Sequence, residues 1–201
     1  MNLLKLLMAV IATGMPALAQ KPVAKESKLV EITMEDQFET KNSVADHKGK
    51  VLILVYGDRK GIDASRELGS TLHVLFHPTA EGKTAKEARK APVAPLDGVA
   101  KDQASPDVSV IPVAVCAGVP GPIKGMIRKA LAKDAADTPV WLDFDGVMAE
   151  KYTVREGEPN LVLIDAEGRL RLKVNGKPDK ETMQKVLQTA QNLRAEAAGL
   201  K

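Results

Sequence analysis

Apolar positions along the chain follow two kinds of spacing, unbroken runs and steps of three or four, and each kind predicts an element. Val51-Leu52-Ile53-Leu54-Val55-Tyr56 is an unbroken run of β-forming residues. Such a run predicts a strand buried on both faces, hence a central one. Val108 to Val115 predicts a second buried strand, in which Pro112 requires an edge or a bulge. Ala64, Leu68, Leu72 and Leu75 repeat at helical spacing and predict a helix from Ile62 to Phe76, stopped by Pro78. Ile123, Met126, Ile127, Ala130 and Leu131 mark another helix, entered through Pro120 and Pro122. Shorter signals lie between and after these. Leu29 to Thr33 predicts a first strand, and Val140-Trp141-Leu142 a short one followed by a turn at Asp145-Gly146 and a helical turn to Tyr152. Leu161 to Ile164 predicts a strand that turns at Ala166-Glu167-Gly168 into Leu170 to Val174, whose alternation leaves one face wet. A closing helix carries Met183, Val186, Leu187, Ala190, Leu193 and Ala197 and starts at Pro178. Parallel crossovers come first and an antiparallel hairpin last, which predicts an α/β fold with a mixed sheet and helices on both faces.

Two segments break this pattern. Residues 78–107 carry Pro78, Pro92, Pro95 and Pro106 among small and charged residues and predict a long inserted loop. Within it, Thr84-Ala85-Lys86-Glu87 has the form of a capping box, so one short helix is expected there. At the N-terminus, Lys5 precedes an apolar run from Leu6 to Ala12, which Gly14 and Pro16 interrupt before Ala17-Leu18-Ala19. That small-x-small site is what a signal peptidase accepts. The run is well short of the ~20 residues that span a bilayer. The expectation is a signal peptide over residues 1–19 cut before Gln20, a leader over 20–28 and one domain over 29–199. The mature chain would be periplasmic or secreted, without stable membrane insertion.

Composition narrows the chemistry. Hydrophobic residues make up 44% and charged residues 27% of 201 residues, a globular balance. The formal charge of +3 is interleaved and aromatics are 3%, which excludes a basic, stacking surface for nucleic acid. Cys116 is the one cysteine, so no internal disulfide can form. No cofactor set or metal set is visible. Asp143 and Asp145 resemble the start of a hard-metal loop, but Val147, Met148 and Ala149 supply no further side-chain oxygens. His73 and His77 are four apart without a third ligand and are read as surface histidines. Gly82-Lys83-Thr84 lacks both the earlier glycine and the preceding strand of a phosphate loop.

The order of elements and three local stretches resemble the thioredoxin-like superfamily, in its redoxin branch, over about Leu29 to Leu193. Gly49 to Tyr56 resembles the strand that leads into the redox motif. Val140 to Gly146, Tyr152-Thr153-Val154, and Glu158 to Asp165 with Gly168 resemble the family's second half. A weaker likeness is to YtfJ-type periplasmic proteins, through Gly49 to Val51 and Ile164 to Arg169. The resemblance implies a three-layer sandwich. It also implies a cis bond before Pro159, facing the active edge. It places Lys60-Gly61-Ile62-Asp63 where the Cys-x-x-Cys motif would stand, and neither sulfur is there. Dithiol exchange needs an activated thiolate and a resolving thiol, so neither thioredoxin nor peroxiredoxin activity of that kind is expected.

Asp58 and Asp63 lie at the start of the first long helix, where capping and dipole compensation explain them. A sharper reading makes Asp58, Arg59, Lys60, Asp63 and Pro159 the rim of a binding edge for a protein partner, taken as an extended polypeptide through backbone hydrogen bonds. The alternative reading is a single-cysteine thiol oxidoreductase or peroxide-linked antioxidant protein using Cys116, which closes a strand at the ligand edge of the sheet.

Overall fold

The computed structural model describes residues 28–100 and 102–200. The expected signal peptide and nearly all of the leader lie outside the described residues. Strands β1 (Thr33–Asp36), β2 (Lys41–Ser43), β3 (Val51–Gly57), β4 (Val108–Val115), β5 (Trp141–Asp143), β6 (Asn160–Ile164) and β7 (Leu170–Asn175) form one mixed sheet in the order β2-β1-β5-β4-β3-β6-β7. Helices α1 (Ile62–Phe76), α2 (Ala85–Ala88), α3 (Gly121–Asp134), α4 (Val147–Tyr152) and α5 (Lys180–Ala197) join them.

β3 lies inside the sheet, parallel to β4 and antiparallel to β6. Its residues alternate between two cores, which is why the run is apolar throughout. Val51, Ile53 and Val55 pack with Leu68 and Leu72 of α1 and with Val186 and Ala190 of α5. Leu52, Leu54 and Tyr56 pack on the opposite face with Ile32, Trp141 and Met148 of α4. Helix, sheet and helix make the three layers. Pro112 is accommodated because β5 joins β4 only from Val113 onward, leaving one side of the strand open at the proline.

The first strand differs from the expected Leu29 to Thr33. Leu29 forms an isolated bridge to Arg169, and the strand proper begins at Thr33. The Asp36 carboxylate accepts from Phe38 N at 2.8 Å and Thr40 N at 3.0 Å, making the turn that folds β2 back on β1. Neither strand has an apolar run to announce it. α5 likewise begins at Lys180, not Pro178, because Asp179 caps it, accepting from Thr182 N at 2.8 Å.

The insertion is tied down at several points. Thr84 and Glu87 form the expected capping box of α2. His73 and His77 are not the surface residues the sequence suggested. His77 is 5% exposed, its ring stacks on His73 at 4.3 Å, and its Nε2 lies 2.9 Å from Asp107 Oδ1. His73 Nε2 contacts the Ala88 carbonyl at 3.0 Å. Both rings are covered by the inserted segment itself, a contact that local sequence does not display. Among the described residues, no group of three metal-type side chains assembles.

This arrangement sets an acid response. The hydrogen bond from His77 holds the Asp107 carboxyl well below the usual carboxylate range, helped by Lys50 at 3.3 Å. Burial lowers His73 and His47 below the ordinary histidine value. All three depressed values act in the same direction: the folded state binds protons less readily, so stability is lost as pH falls. The histidine stage begins below about pH 6.5 and the Asp107 stage below about pH 4. Melting temperature followed against pH should decline in that order, and Asp107→Asn should lower the neutral-pH value while flattening the later stage. An unchanged acid limb in that variant would show that Asp107 does not govern it.

Candidate functional site

The sheet end that receives α1 is closed by the chain running into β6. Between β3 and α1, Asp58 accepts from Lys60 N at 3.1 Å and Gly61 N at 2.8 Å, fixing the turn. The same carboxylate accepts from Gly157 N at 3.1 Å and 3.2 Å, through its two oxygens. Lys60 Nζ meets Glu156 Oε1 at 2.6 Å. Gly61 has to be glycine, because a Cβ there would stand 2.7 Å from the Glu158 carbonyl oxygen and 2.9 Å from its nitrogen. Asp58 thus turns the chain and also holds the 155–159 loop. Asp63 points outward, paired with Arg66 at 3.6 Å, and lies in the first turn of α1 where a carboxylate favours the helix dipole.

Asn160, fully buried, fixes the loop from beneath. Its Nδ2 donates to the Glu158 carbonyl at 3.0 Å and, at 3.4 Å each, to the carbonyls of Tyr56 and Arg155. Its Oδ1 accepts from Arg155 N and Gly176 N, both at 3.1 Å. The Tyr56 hydroxyl donates toward the carbonyls of Tyr152 at 3.2 Å and Thr153 at 3.1 Å. That support sits where Thr153 takes φ +64°, an unfavourable value for a β-branched residue. The sequence reading includes Asn160 within the resemblance over Glu158 to Asp165, without this supporting role. An asparagine opening a run of Leu-Val-Leu-Ile was the available signal.

The bond before Pro159 corrects an expectation. No described peptide bond is cis, so Glu158–Pro159 is trans. Pro159 is buried. Glu158 N donates to the Arg155 carbonyl at 3.3 Å, and its own carbonyl serves Asn160. The backbone that was expected to pair with an extended polypeptide therefore satisfies the loop instead. What faces solvent at this edge is charged: Arg59, Lys60 and Asp63 are all exposed.

Cys116 follows β4 and packs, with Ile62 of α1, against Ala114 and Leu142. Its amide donates to the Asp143 carbonyl at 2.9 Å. Burial, with the Asp143 charge adding to it, pushes the thiol up to about 11. A thiol so placed is overwhelmingly protonated at neutral pH and is a poor nucleophile. Asp143 itself is committed, accepting from Val147 N at 2.8 Å and Met148 N at 2.9 Å. It closes the strand and starts α4, as the turn reading expected.

No family model and no curated protein matches the chain. Solved structures do. A candidate protein disulfide isomerase from Bacteroides thetaiotaomicron superposes with a TM-score of 0.50 at 17% identity, covering 89% of this chain and 94% of that one. A candidate thiol:disulfide interchange protein DsbE from Chlorobium tepidum gives 0.49 at 17% identity, covering 84% and 99%. The pneumococcal exposed lipoprotein thioredoxin Etrx1 from Streptococcus pneumoniae gives 0.48 at 21% identity, covering 79% and 98%. Likeness at these identities speaks to fold alone. The chain has the thioredoxin-like α/β fold, with one cysteine and no Cys-x-x-Cys motif. Among the described residues, no helix is long and apolar enough to cross a membrane.

Proposed function

We propose that this is an exported thioredoxin-fold protein without dithiol chemistry, which docks a protein partner on the rim made by Asp58, Arg59, Lys60 and Asp63, with Pro159 buried beneath it. The observation that carries the reading is the clamp of the 155–159 loop on the start of α1, through Asp58, Lys60 and the close approach at Gly61. A sheet end that exchanges sulfur must leave its motif open to an incoming disulfide. Here that end is covered by backbone and presents charged side chains. Such a rim recognises a partner by charge complementarity, in place of strand addition along Glu158. Export rests on the apolar run and the Ala-x-Ala site ahead of Gln20.

The test is affinity capture with crosslinking from periplasmic extract. A partner held by the wild-type chain should be lost, by at least about tenfold in yield, with the double charge reversal Arg59→Glu, Asp63→Lys. These side chains are exposed, so the fold should be retained, as circular dichroism would verify. A reversed chain that keeps every partner would place the docking surface elsewhere.

A further inference from the structure

We infer that the cavity between α3 and the β1–β5 side of the sheet binds a small monocarboxylate with an apolar body. The cavity is about 260 Å³ and lies away from the 155–159 clamp. Its wall is divided by chemistry. Met34, Leu142, Val147 and Phe144 supply apolar surface, and Lys41, Lys124 and Arg128 supply cations.

The cations are arranged around one ring. Lys124 Nζ stands 4.9 Å, and the Arg128 guanidinium carbon 5.1 Å, from the Phe144 centroid. The ring draws both toward its face. They are also like charges one helical turn apart, which is unfavourable on its own. Glu35 compensates one of them, accepting from Arg128 Nη2 at 2.6 Å. Among the described residues, Lys124 and Lys41 have no carboxylate within ion-pair distance. Arg128 Nε is enclosed, with Glu39 Oε1 4.0 Å away, so this nitrogen is not presented to a ligand. Lys124 and Lys41 therefore have donors to spare for one more carboxylate.

The acidic groups set the charge limit. Asp143 also lines the cavity, but its two oxygens are taken by backbone amides of α4. Asp145 stands exposed at the mouth. A second negative charge on the ligand would face Asp143, Asp145 and Glu35, which lines the cavity as well, so one carboxylate is accepted and a dianion is not. The apolar side takes the rest of the molecule, and the volume restricts it to a small one. The site borrows no residue from the rim described above, so its failure leaves that reading untouched.

The test is an amide-resolved NMR titration of the purified chain with benzoate, benzyl alcohol and inorganic phosphate. Benzoate should shift the amides of Lys124, Arg128 and Phe144 saturably, with a dissociation constant on the order of 1 mM. Benzyl alcohol and phosphate should each bind at least about tenfold more weakly. Lys124→Gln should weaken benzoate by about tenfold, and Lys41→Gln, on an exposed edge strand, should weaken it in the same direction. Equal affinity for benzoate and benzyl alcohol, preference for phosphate, no saturation at these amides, or wild-type affinity in both variants would each overturn the assignment.

Discussion

Arg194→Met should destabilise the protein by about 2–4 kcal/mol and free the 78–107 insertion. Arg194 is fully buried although it belongs to a helix whose other face is wet. Its Nε donates to the Pro106 carbonyl at 2.8 Å and its Nη2 to the Ala94 carbonyl at 2.5 Å. Nη1 donates to Gln191 on the same helix at 2.9 Å. One guanidinium thus ties α5 to both the middle and the end of the insertion. Burial lowers its proton affinity, yet the fork of donors makes a charged group worth keeping in that place. Methionine fills much of the same volume. It leaves two half-buried carbonyls without this donor, each costing up to about 1–3 kcal/mol. Recovery of the desolvation cost of the charge offsets part of this. A urea unfolding midpoint would measure the loss. Limited proteolysis would show new cuts between Ala94 and Pro106. A variant with the wild-type midpoint and cutting pattern would mean that Ala94 N, which donates to the Phe76 carbonyl at 2.7 Å, and the His77–Asp107 contact hold the segment without Arg194.

These contacts mark the boundary between what the sequence displays and what it conceals. The central strands, the helix over Ile62–Phe76 and the Thr84–Glu87 box are visible because their causes are local: period, β-propensity and a cap three residues away. β1 and β2 are hidden because Asp36 builds their turn with a side chain and their residues alternate without an apolar run. His77 is misread for a related reason. Its burial comes from Asp107, thirty positions along the chain, and an exposed helix end looks the same in sequence. At the candidate edge, Asp58 and Lys60 meet the loop before β6. Their relation is different from the expected one, since the loop turns its polar backbone inward and satisfies it on Asn160. That choice depends on a hydrogen-bond set reaching from Tyr56 to Gly176, and no spacing rule encodes it.

Asn160 offers the most incisive test of that edge. Asn160→Leu is close in volume and should destabilise the protein by about 3–5 kcal/mol. The loss would arise because Arg155 N and Gly176 N each lose their acceptor, and the Glu158 carbonyl its donor. The expected local sign is faster amide exchange at Gly157, whose hydrogen bond to Asp58 depends on the loop staying seated. Asn160→Asp separates donor from acceptor. It keeps an oxygen for Arg155 N and Gly176 N but turns the other toward the carbonyls of Glu158, Tyr56 and Arg155. Facing three acceptors in a buried site, the new carboxyl would favour its protonated form, so its folded-state pKa would rise above the unfolded value near about 4. The contribution to stability is then fully present below the unfolded value and is lost as pH rises through the folded one. The Asp variant should accordingly be nearest to wild type at about pH 4 and fall away toward neutrality, while the Leu variant should stay low throughout. Denaturant midpoints of both variants across that range would decide it. Parallel pH profiles for the two would mean that Nδ2 contributes little, and that the two accepted bonds from Arg155 and Gly176 alone seat the loop.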